Sequence, residues 1–207
     1  MPKVVDAGER RELVADALFR IVARDGLHRA SVRGVAAEAG LNPGSVRHYF
    51  ADHADVMAFA MKELANQTAQ RILAHAKQLV DPPPGFDRRA FREAIFAEFL
   101  PLDEQRELEV VVWLEFSAAA RTDPRLREYA AQVHNGERMI IERILRRTYE
   151  AGRMHEPIDI PLETERLAAL LDGLAMNLVQ RPDRLDAATA LAVLRRHLDT
   201  LLRDDVA

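Results

Sequence analysis

Hydrophobic residues recur with helical spacing along almost the whole chain, and the first clear stripe lies near its start. The stripe places apolar residues at i, i+3, i+4, i+7 and i+8, namely Val14, Ala17, Leu18, Ile21 and Val22. Asp25-Gly26 follows, and a glycine accepts the left-handed backbone with which many helices end. The pattern therefore predicts a first amphipathic helix that ends at Gly26.

Two short helices are predicted next. Ser31 is a good N-cap for a second helix, which Gly40 ends. Asn42 caps a third helix, with Pro43 at its first position, where the missing N–H is harmless. Six more helices are predicted at about 52–75, 87–99, 104–121, 124–151, 162–180 and 186–203, separated by proline and glycine breaks of which 81–85 is the clearest. No convincing strand pattern occurs, so we predict an all-α fold of about nine helices.

Composition agrees with that pattern and excludes several chemistries. The 207 residues are 48% apolar and 6% aromatic, enough for a packed core in one or two domains. The absence of cysteine excludes disulfides, thiolate metal sites and a cysteine nucleophile. No apolar run is long enough to cross a membrane, and the first residues lack the pattern of a signal peptide. We therefore expect a soluble cytoplasmic protein without a membrane partner.

The charge distribution is more informative than the net charge of -4. Residues 1–55 hold eight Lys/Arg and eight Asp/Glu, whereas the remainder holds 21 and 25. Between His28 and Phe50 there are three arginines and only one acid, Glu38. This asymmetry weakly favours contact of the N-terminal end with nucleic acid.

The segment 31–50 has the spacing of a helix-turn-helix. Two short helices are joined by Gly40-Leu41-Asn42, the tight glycine-containing turn of DNA-binding motifs. Ala36 is small enough for close helix packing, and Val46 points into the shared core. The outward positions of the third helix carry small or hydrogen-bonding residues that suit a DNA groove, namely Gly44, Ser45, Arg47 and His48. A motif that serves packing alone is the alternative.

Residues 9–60 resemble the TetR family of transcriptional regulators. The resemblance rests on the amphipathic first helix, on Gly26 and on S-V-R-G-V-A-A-E-A-G-L-N-P-G-S-V-R-H-Y-F. The continuation A-D-H-A-D-V-M and the late stretch D-G-L-A-M-N-L…P-D-R-L-D-A-A-T-A-L resemble the subset related to the choline-responsive repressor of betaine synthesis. The resemblance implies a DNA-binding domain at 1–51 and a ligand-binding and dimerisation domain at 52–207. It also implies a homodimeric repressor that a small-molecule inducer releases from a palindromic double-stranded DNA operator.

The resemblance also implies DNA-contacting positions. Arg33 stands where members often place a base-reading arginine, and an ordinary solvated arginine is the alternative. Tyr49 precedes the inward Phe50 and has a core role as its alternative. Many members carry Tyr at the position of Arg47. Many also carry a Lys that anchors a phosphate at the position of His53, so the phosphate contact of His53 should be weaker or pH-dependent here. The predicted DNA-binding residues are Ser31, Arg33, Gly44, Ser45, Arg47, His48, Tyr49 and His53.

The helix at 104–121 suggests a ligand site. It is apolar almost all round in V-V-V-W-L-E-F-S-A-A-A, so it should be central, and Glu115 interrupts the run. A buried carboxylate is costly unless it is paired or bound to a ligand, and an acid among aromatic residues suits a cation. A structural pair with an arginine or partial exposure of Glu115 is the alternative, and ordinary core packing is the alternative for its neighbours. The predicted ligand-binding residues are Phe96, Phe99, Trp113, Glu115, Phe116, Met139 and Met176.

The last two helices carry leucine stripes that predict a dimer interface. Two stripes in a hairpin exceed the apolar face that one subunit needs, and pairing with a second copy would give a four-helix bundle. The predicted interface residues are Leu167, Leu170, Leu171, Leu174, Leu178, Leu191, Leu194 and Leu198. A purely intramolecular core is the alternative. The helix at 52–75 is expected to be the only element that leads from the DNA-binding unit into the rest, and so to transmit the ligand signal.

Enzymatic function has no support in the sequence. The seven histidines include no pair at i, i+3 or i, i+4, so a helix-borne metal site is not predicted. Neither a glycine-rich phosphate loop nor a G-x-S-x-G turn occurs, so we expect no catalytic residues and no cofactor. A sequence-neutral architectural DNA binder is disfavoured by the acidic net charge and by the large apolar C-terminal part.

Overall fold

The structure is a computed structural model that describes residues 7–26, 29–50, 52–77, 85–155 and 157–203. For 7–9, 11, 48, 49, 53, 76 and 77 it describes the main chain only. These residues form nine α-helices: α1 (Ala7–Asp25), α2 (Val32–Glu38), α3 (Pro43–Tyr49), α4 (His53–Lys77), α5 (Arg88–Ala97), α6 (Glu104–Ala120), α7 (Pro124–Glu150), α8 (Ile160–Gln180) and α9 (Ala187–Leu201). The all-α fold is confirmed. Of the predicted loop at 81–85, only Gly85 lies within the described residues.

Side-chain caps set the ends of the later helices. Asp87, Asp159 and Asp186 precede α5, α8 and α9, and each carboxylate accepts hydrogen bonds from main-chain N–H groups of the first turn. Gly152 ends α7 with φ +68, and its N–H donates to the carbonyl of Tyr149. Among the helices so defined, none combines the length and apolar character that a membrane span requires.

The chain divides into two compact units. The first contains the described residues of Met1–Asn66 together with Val111–Val133, and the second contains those of Gln67–Val110 and His134–Ala207. In the first unit, the core of α1 to α4 also includes Val112 and Phe116 of α6 and Leu126 of α7. The expectation that α4 alone leads out of the DNA-binding unit is therefore wrong, because parts of α6 and α7 are packed into the same core.

In the second unit, α9 packs against both α5 and α8. This packing corrects part of the predicted dimer interface. Five of the eight predicted interface leucines are already buried within the single chain, so they have almost no accessible surface to lose to a partner: Leu167, Leu171, Leu174, Leu194 and Leu198. They form the intramolecular core, which was the alternative interpretation. Leu170, Leu178 and Leu191 are only half-buried, and their interface role stays a prediction.

Candidate functional site

The turn between α2 and α3 is closed by two main-chain hydrogen bonds. The N–H of Leu41 donates to the carbonyl of Ala36 at 2.8 Å, and the N–H of Gly40 donates to Ala37 at 3.1 Å. This pattern needs a left-handed residue after the helix, and Gly40 has φ +66. A Cβ added at Gly40 would meet nothing within 4 Å, so the backbone torsion and not lack of space requires glycine there.

Both helices of the motif begin with the predicted caps. The Oγ of Ser31 accepts a hydrogen bond from the N–H of Gly34 at 3.1 Å, and the Oδ1 of Asn42 accepts one from the N–H of Gly44 at 2.8 Å. Capping residues satisfy N–H groups that have no partner inside a helix. Ser31 therefore has a structural role, and its contact with DNA stays a prediction.

The motif is held against α1 by packing and by an ionic contact. Ala36 and Val46 are fully buried in the shared core, as their spacing predicts. The Glu38 carboxylate accepts hydrogen bonds from Arg20 at 3.1 Å and from Arg24 at 3.3 Å, and these bonds lower its pKa. Glu38 is the only acid between His28 and Phe50. Because α1 engages it, its negative charge is partly neutralised on this surface.

The outward face of the motif carries exposed cations. Arg33 on α2 and Arg47 on α3 are exposed, and neither pairs with a carboxylate of the described residues. Gly44 is exposed and Ser45 is half-buried. The side chains of His48, Tyr49 and His53 lie outside the described residues, so their contacts stay predictions. A solvated guanidinium is available to bind a phosphate or to form two hydrogen bonds with a guanine.

The start of α4 is fixed by Asp52. Its Oδ1 accepts a hydrogen bond from the N–H of Asp55 at 3.1 Å, which lowers the pKa of Asp52, and its Oδ2 pairs with Arg125 at 2.8 Å. Arg125 lies in the first turn of α7 and also pairs with Asp123. Within the first unit, the pair of Arg125 with Asp52 therefore connects the beginning of α7 to the beginning of α4.

Two family models match this chain. Residues 14–58 match the model of bacterial regulatory proteins of the tetR family, and residues 88–203 match that of the BetI-type transcriptional repressor, C-terminal. The chain belongs to the TetR family. The predicted family, its BetI-type subset and the function class of DNA-binding transcriptional regulator are confirmed by these matches. They also place the protein among regulators and not among enzymes.

Relatives of similar length support the same assignment. The regulator PksA of Bacillus subtilis is 30% identical over 205 residues, which cover 99% of this chain and 96% of PksA. The regulator BetI of Serratia proteamaculans is 27% identical over 203 residues, with 98% of each chain covered. The similarity therefore extends over both compact units and is not confined to the helix-turn-helix.

Solved structures show the same fold. A transcriptional regulator from Rhodococcus sp. Rha1 has 28% identity and a TM-score of 0.74, covering 92% of this chain and 95% of its own. The multidrug binding protein EbrR complexed with imidazole has 29% identity and a TM-score of 0.61, covering 91% and 94%. A regulator from Saccharomonospora viridis in complex with choline has 20% identity and a TM-score of 0.74, covering 95% and 100%. At 20% identity, the last likeness concerns the fold alone.

The predicted ligand-binding residues have very different environments. In the second unit, Phe96 is fully buried, Phe99 and Met176 are half-buried, and Met139 is 66% exposed. In the first unit, Phe116 is fully buried and Trp113 packs against the same core. Glu115 is exposed, so the alternative of an exposed glutamate is the one observed. Met139 therefore lies at the surface of the second unit, and the ligand-binding role of these residues stays a prediction.

The sequence analysis missed a carboxylate on the inner side of α7. Glu137 is half-buried and lies one turn before the fully buried Ile141, on the same face of the helix. Burial, reinforced by the negative charge of Asp172 on α8, raises the pKa of Glu137 to about 8. Burial also raises the pKa of Asp172. The helical register of 133, 137, 141 and 144 could have identified Glu137, because it places an acid in an otherwise apolar stripe.

Proposed function

We propose that this TetR-family regulator is a homodimeric repressor that a small-molecule ligand releases from a palindromic operator in the bacterial cytoplasm. The observation that carries the proposal is the capped helix-turn-helix with its exposed arginines, Arg33 and Arg47, in a chain of this family. The functional division at residues 51 and 52 belongs to the proposal. DNA binding is assigned to the N-terminal part, and ligand binding and dimerisation to the remainder.

The recognition step follows from the position of the arginines. Helix α3 enters the major groove, where the exposed Arg47 and the small residues Gly44 and Ser45 face base edges and phosphates. Arg33 at the start of α2 contacts the flanking base or backbone. Two copies related by a two-fold axis place their α3 helices in half-sites about 34 Å apart, so the operator should be an inverted repeat.

Dimerisation is proposed through the outer faces of α8 and α9. Leu170, Leu178 and Leu191 are half-buried, and exposed apolar residues lie on the same helices, Leu162 at 60% and Val193 at 38%. Apolar surface of this kind is removed from water when helices of two copies pack together. The inward leucines of the same helices would meanwhile hold each subunit together.

The ligand is proposed to be a cationic or amphipathic molecule bound among apolar side chains. The structural neighbour from Saccharomonospora viridis binds choline, and EbrR binds imidazole. Within this chain, Glu137 is a better anchor than Glu115, because its carboxylate is partly screened from water and forms no salt bridge with a described side chain. A cation beside Glu137 would stabilise the ionised carboxylate that burial disfavours.

The test begins with DNA. Purified protein is used to select duplexes from a random pool, and binding of the selected duplex is measured by fluorescence anisotropy and light scattering. We expect an inverted repeat bound by a dimer, with high discrimination against unrelated duplex. A monomer that binds all duplexes equally would contradict the proposal and support a sequence-neutral DNA binder.

The ligand class is tested separately. Quaternary amines, including choline, lipophilic cations and neutral compounds of similar size are screened by thermal shift at about pH 8, where the Glu137 carboxylate is partly ionised. Hits are repeated on Glu137→Gln and on Glu115→Gln. We expect cations to stabilise the wild type and the Glu115→Gln variant but not Glu137→Gln. Binding of neutral molecules only, or equal responses of all three proteins, would contradict the cationic ligand.

A further inference from the structure

An ionic cluster is built around Arg71 in the second half of α4. Its Nη1 and Nη2 donate to the two carboxylate oxygens of Glu109 on α6, at 3.0 and 2.7 Å. Its Nε donates to Glu98, just beyond α5, at 2.9 Å, and its Nη2 also donates to Thr68 at 3.2 Å. We call Thr68, Arg71, Glu98 and Glu109 the Arg71 cluster. All four residues belong to the second unit.

The Arg71 cluster is shielded from water. The side chain of Glu109 is only 5% exposed, that of Glu98 13% and that of Arg71 28%. Glu98 receives further contacts from Arg106 at 3.5 Å and from His75 at 2.8 Å, so both carboxylates are paired. Ion pairs at the surface contribute little to stability. Removing one member of a buried pair is costly, because it leaves the other charge buried without a partner. The geometry of the cluster is therefore strongly preferred over arrangements in which α4 and α6 shift past each other.

The cluster lies on two helices that each contribute residues to both units. It joins α4 to α6, and both helices continue into the first unit. There, Val56 and Met57 of α4 and Val112 and Phe116 of α6 are buried in the core that also holds the helix-turn-helix. The division between the units falls after Asn66 in α4 and after Val110 in α6. Arg71 and Glu109 each lie a few residues from it, and both belong to the second unit. The two helices are thus tied together on the second unit's side of the division.

We propose that Arg71 is a positioning residue for the ligand response, because it makes α4 and α6 move as one piece. The inference rests on the proposed function. A ligand changes DNA affinity only if its binding and DNA binding favour different arrangements of one shared element. Linkage is reciprocal, so DNA binding must bias the same element that ligand binding biases when that element is intact. Operator DNA can therefore replace the unidentified ligand as the probe.

The experiment compares hydrogen exchange with and without the selected operator duplex. Arg71→Lys keeps the positive charge but loses the fork that holds both oxygens of Glu109. Arg195→Lys is the matched control, because Arg195 makes a two-point contact with Glu93 at 2.6 and 2.8 Å between α9 and α5, neither of which enters the first unit. In the wild type, we expect operator DNA to slow exchange of amides in 67–75 and 104–110.

In Arg71→Lys, the operator should bind within about twofold of wild-type affinity. This is the variation expected in a binding free energy when the substituted residue does not interact with the binding site. Protection at 104–110 should be lost while protection of α3 persists. Arg195→Lys should behave as the wild type. Unchanged protection in Arg71→Lys, or equal loss in Arg195→Lys, would overturn the inference.

Glu109→Gln replaces Arg71→Lys if circular dichroism shows that the lysine variant is unfolded. If neither variant folds, the cluster serves folding and the inference is rejected. Failure of the wild type to bind any selected duplex would instead reject the proposed function, so the two failures are distinguishable.

Discussion

Replacing Glu137 by Gln changes one charge on the inner face of α7 and almost nothing in shape. The folded chain raises the pKa of this carboxyl from 4.5 to about 8, mainly through burial. Between these two values the folded state holds a proton that the unfolded state has released. The free energy of unfolding therefore falls as pH rises through this range, and it falls no further once Glu137 is ionised in both states. At 1.36 kcal/mol per pKa unit, the upper bound of the loss is roughly 5 kcal/mol.

The glutamine variant has no such proton to lose, so its stability should depend less on pH. We expect Glu137→Gln and the wild type to have similar stability near pH 5, and the variant to be more stable by on the order of 2–4 kcal/mol above about pH 8. Urea unfolding followed by circular dichroism at fixed protein concentration measures the difference, because dimer dissociation also contributes. Asp172 interacts with Glu137, so the midpoint belongs to the pair and not to one residue.

Glu115→Gln is the control, because Glu115 is exposed and its replacement removes one carboxylate without changing the inner face of α7. Parallel profiles of Glu137→Gln and the wild type would refute the reasoning. They would mean that water reaches the carboxylate freely and that burial imposes no penalty on its charge. A variant that loses stability at every pH would point instead to hydrogen bonds made by the ionised form.

Three further predictions concern the DNA-binding motif and the dimer. Arg33→Ala and Arg47→Ala should each cost about 1–3 kcal/mol of operator-binding free energy if the arginine reads a base. If the arginine binds a phosphate, the variant should instead show a flatter salt dependence of binding. Unchanged anisotropy titrations in both variants would show that the recognition surface is misplaced. Gly40→Ala should destabilise the fold by about 1–2 kcal/mol in urea titrations because of its positive φ, and wild-type stability would contradict that origin. Leu194→Asp should prevent folding because Leu194 is fully buried, whereas Leu170→Asp should give folded monomers in light scattering; a dimeric Leu170→Asp would place the interface elsewhere.

Local chemistry made the helices and the motif predictable. Ser31, Asn42 and Gly40 act within a few residues of their own position, through caps and one backbone torsion, so their roles follow from the sequence alone. The same holds for Ala36 and Val46, whose burial follows from helical register. The DNA-binding motif, which is the most local part of the structure, is therefore the part that the sequence describes best.

Long-range contacts were less predictable. A leucine stripe shows that one face of a helix is buried, but periodicity does not say whether its own chain or a partner covers it. For Leu167 and Leu194, the chain itself does. Glu115 stands in a run that is apolar almost all round, and only the packing of α6 shows that this side is exposed. Arg71 and Glu109 are separated by 38 residues, and no local pattern pairs an arginine with a carboxylate at that distance.

The division of the chain bears on how the proposed ligand would release DNA. If α4 were the sole connection between the DNA-binding unit and the rest of the chain, a ligand would need to displace only that helix. The rest of the DNA-binding unit would then move with it. Residues 111–133 of α6 and α7 instead share the core of the helix-turn-helix, and Arg125 pairs with Asp52 at the start of α4. A displacement of α4 alone would disturb the core in which Val56, Met57 and Phe116 are all buried. Packed cores resist such continuous deformation, so α4 and α6 are more easily moved together than apart. A ligand that acts on both helices at once therefore has the lower free-energy cost, and the Arg71 cluster is placed to couple them.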